Sequence, residues 1–131
     1  VNKKVTFLNE VVSQLELSNA QAIHSRIEDF DKKKKYDVVV SRAVAELRTL
    51  CEYTLPFVKS GGTFLSLKGA SAIDEIDGAK NSLKTLGGKI EGINEFTLPG
   101  GDKRAIINVK KISHIPSKFP RVSAQIAKKP L

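Results

Sequence analysis

Hydrophobic spacing divides the chain into a succession of short elements. Val5, Leu8, Val12 and Leu15 recur at intervals of three and four, the buried stripe of an amphipathic helix with Lys3, Lys4, Glu10 and Gln14 on its wet side. Residues 17–19 read as a turn, 20–24 as a short strand and 25–30 as a loop. Residues 36–41 carry three consecutive valines, a pattern expected of a strand buried on both faces. Val44, Leu47, Leu50, Cys51 and Leu55 make the next helical stripe, ended by Pro56 and the KSGG stretch at 59–62. Residues 63–67 predict a third strand. Ser71, with Asp74 three residues on, resembles a capping box, and Ile73, Ile76, Leu83 and Leu86 continue as a helix stopped by Gly87 and Gly88. Residues 89–98 and 104–112 read as two strands joined by PGGDK, and 113–131, with Pro116, Pro120 and Pro130, read as an extended basic tail.

Helix and strand alternate, which predicts an α/β fold with a parallel sheet, helices on both of its faces, and an antiparallel hairpin at the C-terminal edge. In such sheets ligands bind at the carboxyl ends of the strands. Three strand ends carry polar or charged residues: HSRIED at 24–29, SRA at 41–43 and LKG at 67–69. Parallel strands would place all three on one rim. Arg42 then either faces a polar or anionic ligand or pairs with a carboxylate such as Glu28 or Glu46. The spacing leaves both readings open.

Composition narrows the chemistry. The chain has 131 residues, enough for one domain with a core, and no apolar run approaches the roughly 18 residues of a membrane span. Cys51 is the lone cysteine and falls on an apolar stripe. It reads as a core residue and suits a reducing, cytoplasmic compartment. His24 and His114 have no ligand-spaced partners, so no metal site is expected. Dinucleotide and phosphate-loop glycine motifs and a nucleophile elbow are all missing, and turn geometry accounts for the paired glycines at 61–62, 87–88 and 100–101. Charge is uneven: residues 1–101 carry 14 basic and 13 acidic side chains, whereas 102–131 carry eight basic groups against Asp102 alone. That asymmetry points to nucleic acid. The DKKKK run at 31–35 reads as a solvated loop tip.

The strings are specific in combination. YDVVVSRAVAEL at 36–47 followed by LPFVKSGGTFLSLKG at 55–69 is similar to S-adenosylmethionine-dependent methyltransferases. With VNKKVTFLNEVV at the start, LPGGDKR at 98–104 and a terminal FPR…AKKPL, nearly the whole chain resembles the RsmG/GidB family, bacterial methyltransferases that modify a guanine of small-subunit ribosomal RNA at N7. The resemblance implies a Rossmann-like methyltransferase fold, incomplete here: the chain would enter after the second strand, without the glycine-rich loop or the acidic strand end. It implies a partial methyltransferase domain over 1–112 and a basic tail over 113–131. It implies S-adenosylmethionine as cofactor, with Ile27 and Glu28 beside the adenine and Arg42 as a further contact. Lys68, Lys103, Arg104, Arg121, Lys128 and Lys129 are the implied RNA contacts, although residues 122–126 depart from the family's usual text. Guanine N7 carries a lone pair and no proton, so no catalytic acid or base is expected. A methyltransferase with another substrate and a non-enzymatic RNA-binding module are the alternatives.

Two expectations follow from the family's strand order and from the chain opening, without methionine, inside a helical pattern as a fragment would. The strand at 36–41 should expose an edge bearing Val38, Val39 and Val40. The strand at 20–24 then slides in beside it, a second copy pairs with it, or an upstream segment fills the gap. The chain by itself should bind S-adenosylmethionine feebly and methylate no ribosomal RNA, as calorimetry and a methyl-transfer assay on the 131-residue chain would record.

Overall fold

The computed structural model describes residues 2–42 and 45–131, so Val44 of the second helical stripe and Ala43 of the SRA motif lie outside the described residues. Two compact units are present, Val1–Phe30 and Asp31–Leu131.

In the first unit the apolar spacing forms helix α1, Asn2–Gln14, but none of its residues is buried, and Leu8 is 49% exposed. The expected strand at 20–24 is not there: residues 20–26 form neither helix nor strand. Their one large apolar side chain, Ile23, is 50% exposed, so there is no burial to hold an extended segment in a sheet. A single 3-10 turn, Ile27–Asp29, follows.

The second unit holds β1 (Tyr36–Arg42), α2 (Leu47–Thr54), a 3-10 turn (Leu55–Phe57), β2 (Val58–Lys68), α3 (Ala72–Gly78), α4 (Lys80–Thr85), β3 (Gly88–Thr97), β4 (Lys103–Lys111) and α5 (Ser123–Lys128). The sheet runs β1-β2-β4-β3, with β1 parallel to β2 and β4 antiparallel to both of its neighbours. Strict alternation along β4 sets the layers. Ala105, Ile107, Val109 and Lys111 are buried, whereas Arg104, Ile106, Asn108 and Lys110 are half-buried. The buried row meets Phe64 of β2, Leu47, Leu50 and Cys51 of α2, and Leu83 and Leu86 at the end of α4. Burying each such leucine or phenylalanine contributes about 1.5–3 kcal/mol.

Several local expectations change. The valines of β1 are not buried on both faces: Val39 packs against the core, but Val38 and Val40, on the opposite face of the strand, are exposed. β1 is also an edge strand, beside β2 alone among the described residues. The KSGG stretch does not end a helix. It lies inside β2 as a bulge, since Tyr36 pairs with Val58 but Val38 pairs with Thr63. Gly61 takes φ +82°, and a Cβ on Gly62 would sit 2.7 Å from the Asp37 carbonyl, so this stretch requires both glycines. Ser71 makes no side-chain cap, and the third predicted helix breaks at Ala79 into α3 and α4.

The C-terminal stretch is the largest correction. Residues 113–131 are not an extended tail. Phe119 and Ile126 are buried and α5 is helical. Glu52 of α2, with no exposed surface, accepts from Arg121 Nε and Nη2 at 2.7 Å each and from the Arg121 backbone N–H at 3.1 Å. The amino end of α2 is pinned similarly. Glu75 Oε2 accepts the Leu47 N–H at 2.9 Å and pairs with Lys68 Nζ at 2.8 Å, while that ammonium also donates to the Ala45 carbonyl.

Removing the Arg121 side chain would leave a buried carboxylate uncompensated. Arg121→Ala should therefore lower stability by about 3–5 kcal/mol in urea unfolding, with Glu52→Gln in the same background restoring part of the loss. Cys51 gives a second test. Burial pushes its thiol up to about 12 from 9.0, against a smaller opposing pull from Lys68. Above pH 9 the unfolded chain releases this proton and the folded chain keeps it, so stability falls as pH rises from about 9 towards 12, by at most about 1.4 kcal/mol per pH unit. Cys51→Ala should lose that slope, so the difference between the stability-versus-pH profiles of the two proteins isolates it.

Candidate functional site

Parallel pairing sets the carboxyl ends of β1 and β2 side by side, with Arg42 opposite Leu67. The antiparallel return of β4 brings its opening residues to the same rim, Ala105 opposite Lys68 and Ile106 opposite Leu67. The β3–β4 turn closes through Leu98 N–H to the Asp102 carbonyl and Gly101 N–H to the Leu98 carbonyl, both 2.8 Å, with Gly101 at φ +92°. That turn places Phe96 opposite Arg104 and Thr97 opposite Lys103.

The result is a recess of about 380 Å³ walled by Leu67, Phe96, Leu98 and Ile106, with Arg42 and Arg104 at its border. Phe96 is 44% exposed and presents an aromatic surface to it. A smaller recess of about 210 Å³ adjoins it, bordered by Glu95, Thr97, Lys103 and Arg104. Arg104 is tethered: Nη1 donates to the Lys103 carbonyl at 2.8 Å and Nη2 lies 3.7 Å from Asp102 Oδ2. Arg42 is exposed and makes no ion pair among the described residues of its unit. Glu46, one of its two candidate partners, accepts instead from Arg48 Nε at 2.9 Å. An apolar wall with one aromatic ring beside two guanidinium groups suits a planar ring carrying polar or anionic groups.

The remaining candidates are distributed differently. Ile27 and Glu28 open the 3-10 turn of the first unit, where Glu28 Oε1 lies 3.9 Å from Arg26 Nη1. Lys103 is exposed beside the recess, and Lys128 and Lys129 are exposed at the end of α5. Lys68 and Arg121, expected to meet RNA, pair with Glu75 and Glu52 and so hold α2, and the Lys68 side chain is only 8% exposed. Phe96, Leu98 and Ile106 were missed as site residues. The PGGDK turn carried the available signal, because a hairpin there sets Phe96 across from Arg104.

Residues 1–122 match the family model GidB, rRNA small subunit methyltransferase G. Similar curated proteins are the ribosomal RNA small subunit methyltransferases G of Acetivibrio thermocellus, 47% identical over all of this chain and 56% of the relative, and of Clostridium perfringens strain SM101, 43% identical over all of this chain and 57% of the relative. The chain thus spans little more than half the length of the relatives it matches. Among solved structures, Trm5b from Pyrococcus abyssi aligns over 83% of this chain and 34% of its own with a TM-score of 0.62 at 11% identity. M. jannaschii TYW2 in complex with AdoMet aligns over 82% and 53%, with a TM-score of 0.59 at 18% identity. These two likenesses show the fold, a Rossmann-like α/β sheet. With 122 of its 131 residues under one family model, the chain belongs to the GidB family, rRNA small subunit methyltransferase G.

Proposed function

We propose that this chain supplies part of the active centre of an S-adenosylmethionine-dependent methyltransferase acting on guanine N7 of small-subunit ribosomal RNA. The observation that carries the reading is Arg42, exposed at the carboxyl end of β1 and bordering an apolar recess walled by Leu67 and Phe96. The donor set fits the cofactor: a guanidinium to meet its polar groups and apolar surface to meet a flat ring. Ile27 and Glu28 are the further cofactor contacts in this reading, and Lys103 and Arg104 hold RNA phosphates beside the recess. S-adenosylmethionine, when bound, supplies the electrophilic methyl group.

The chain's own residues then have a positioning task. Guanine N7 attacks through a lone pair and loses no proton, so no side chain has to act as a base. Acceleration comes from holding N7 in line with the methyl group and from excluding water around it. Phe96 offers a surface on which a base can stack, and Arg104, held by Asp102 and the Lys103 carbonyl, is preset for a phosphate.

A chimera tests the reading: residues 1–131 replace the corresponding segment of the Acetivibrio thermocellus relative. It should methylate guanine N7 in small-subunit ribosomal RNA, and cofactor binding with no such product would overturn the substrate assignment. In that chimera Arg42→Ala should weaken S-adenosylmethionine binding about tenfold or more, equivalent to roughly 1.4 kcal/mol, with the fold unchanged by circular dichroism. Unchanged affinity in calorimetry would remove Arg42 from the cofactor site.

A further inference from the structure

The lysine run at 31–35 reads in sequence as a solvated tip, but the fold does not leave it alone. Lys32 Nζ donates to the Pro120 carbonyl at 3.3 Å, across 88 positions of chain. The next residue, Arg121, donates through Nη2 to the Lys129 carbonyl at 3.1 Å. Three separate basic stretches are thereby gathered: 31–35, 118–121 and 128–129. Lys33, Lys118, Lys128 and Lys129 are all exposed there. Asp31 is the only acidic residue in these stretches, and its carboxylate already accepts the Lys33 backbone N–H at 3.0 Å. The one guanidinium, Arg121, is neutralised by Glu52. Burial of Phe119 and Ile126 fixes the backbone that carries Lys118, Lys128 and Lys129, so little ordering is needed when these three meet a ligand.

The location matters as much as the charge. The lysine run leads into the amino end of β1, whereas Arg42 stands at its carboxyl end. Six residue steps at roughly 3.3 Å place the two about 20 Å apart along the strand.

We infer that residues 31–35 with 118–129 form a second RNA-binding surface, opposite the recess, that grips backbone phosphates of the same small-subunit ribosomal RNA. The inference rests on the RNA reading above and extends it from a pocket to a substrate spanning the length of β1. RNA fits better than an anionic membrane. Phe119 and Ile126 are buried, and Val122 is the one exposed large apolar side chain of residues 118–129, too little apolar surface to insert into lipid. Phosphates held this far from the reacting base strengthen association and leave the chemical step unchanged.

The test uses the full 131-residue chain and a fluorescently labelled fragment of small-subunit ribosomal RNA, with anisotropy read across a potassium chloride series. The triple variant Lys33→Ala, Lys128→Ala, Lys129→Ala should weaken binding and flatten the plot of log affinity against log salt by about 2–3 units, at roughly 0.7–0.9 per lost phosphate contact. The triple variant Lys3→Ala, Lys84→Ala, Lys89→Ala changes net charge equally elsewhere and should leave the slope near its original value. Equal losses in the two variants would overturn the inference, as would binding to phosphatidylglycerol vesicles that the first variant abolishes while RNA binding persists. In the chimera the first variant should raise KM for RNA with kcat unchanged. A wild-type KM there overturns this surface and leaves the methyltransferase reading standing. A chimera that methylates no RNA overturns that reading, while the anisotropy series still decides the surface.

Discussion

A carboxylate with no exposed surface has to find a cation, and Glu52 finds Arg121, 69 positions away. A well-packed apolar pair could be equally stable there. What the ion pair adds is direction: two parallel N–H bonds and a backbone N–H admit one orientation of the chain around residue 121. That orientation sets where Phe119 and Ile126 enter the core and where the lysines beside them come to rest. Glu75 and Lys68 do the same at the opposite end of α2, so the helix that lines the core is fixed at both ends by charge.

The rim owes its composition to the change of strand direction. Because β4 runs against β2, its first residues meet the last residues of β2, and the β3–β4 turn arrives at the carboxyl end of β1. A further parallel strand in that place would have put its carboxyl end there instead. The antiparallel return is what delivers Phe96, Leu98 and Arg104 to the recess that Arg42 borders.

Much of this architecture was legible from local pattern, for local reasons. The hairpin followed from PGGDK between two apolar runs, and Arg42 stood out because a charge after three valines needs an explanation. The strand at 20–24 was misread because alternation without bulk or a partner is weak evidence. The bulge in β2 was invisible because KSGG serves a helix stop and a looped-out strand equally well. The tail was misread because what orders it, Glu52 against Arg121, joins distant segments. The structural duties of Lys68 were hidden because Glu75, on α3, meets it only once both are brought to the amino end of α2. Phosphate contact and ion-pair duty ask for the same residue types, so only tertiary position separates them.

Helix α1 has a thermodynamic consequence of its own. A 13-residue helix with no fully buried side chain and only Val5, Val11 and Val12 half-buried draws little from packing, and isolated helices of that length are marginal in water. Its backbone amides should exchange with solvent deuterium almost as fast as in a free peptide, while those of α2 and β4 open only with the whole core. Far-ultraviolet ellipticity would then decline gradually with temperature before the cooperative transition, and a two-state fit to that signal alone would mistake the fraying of α1 for a sloping baseline.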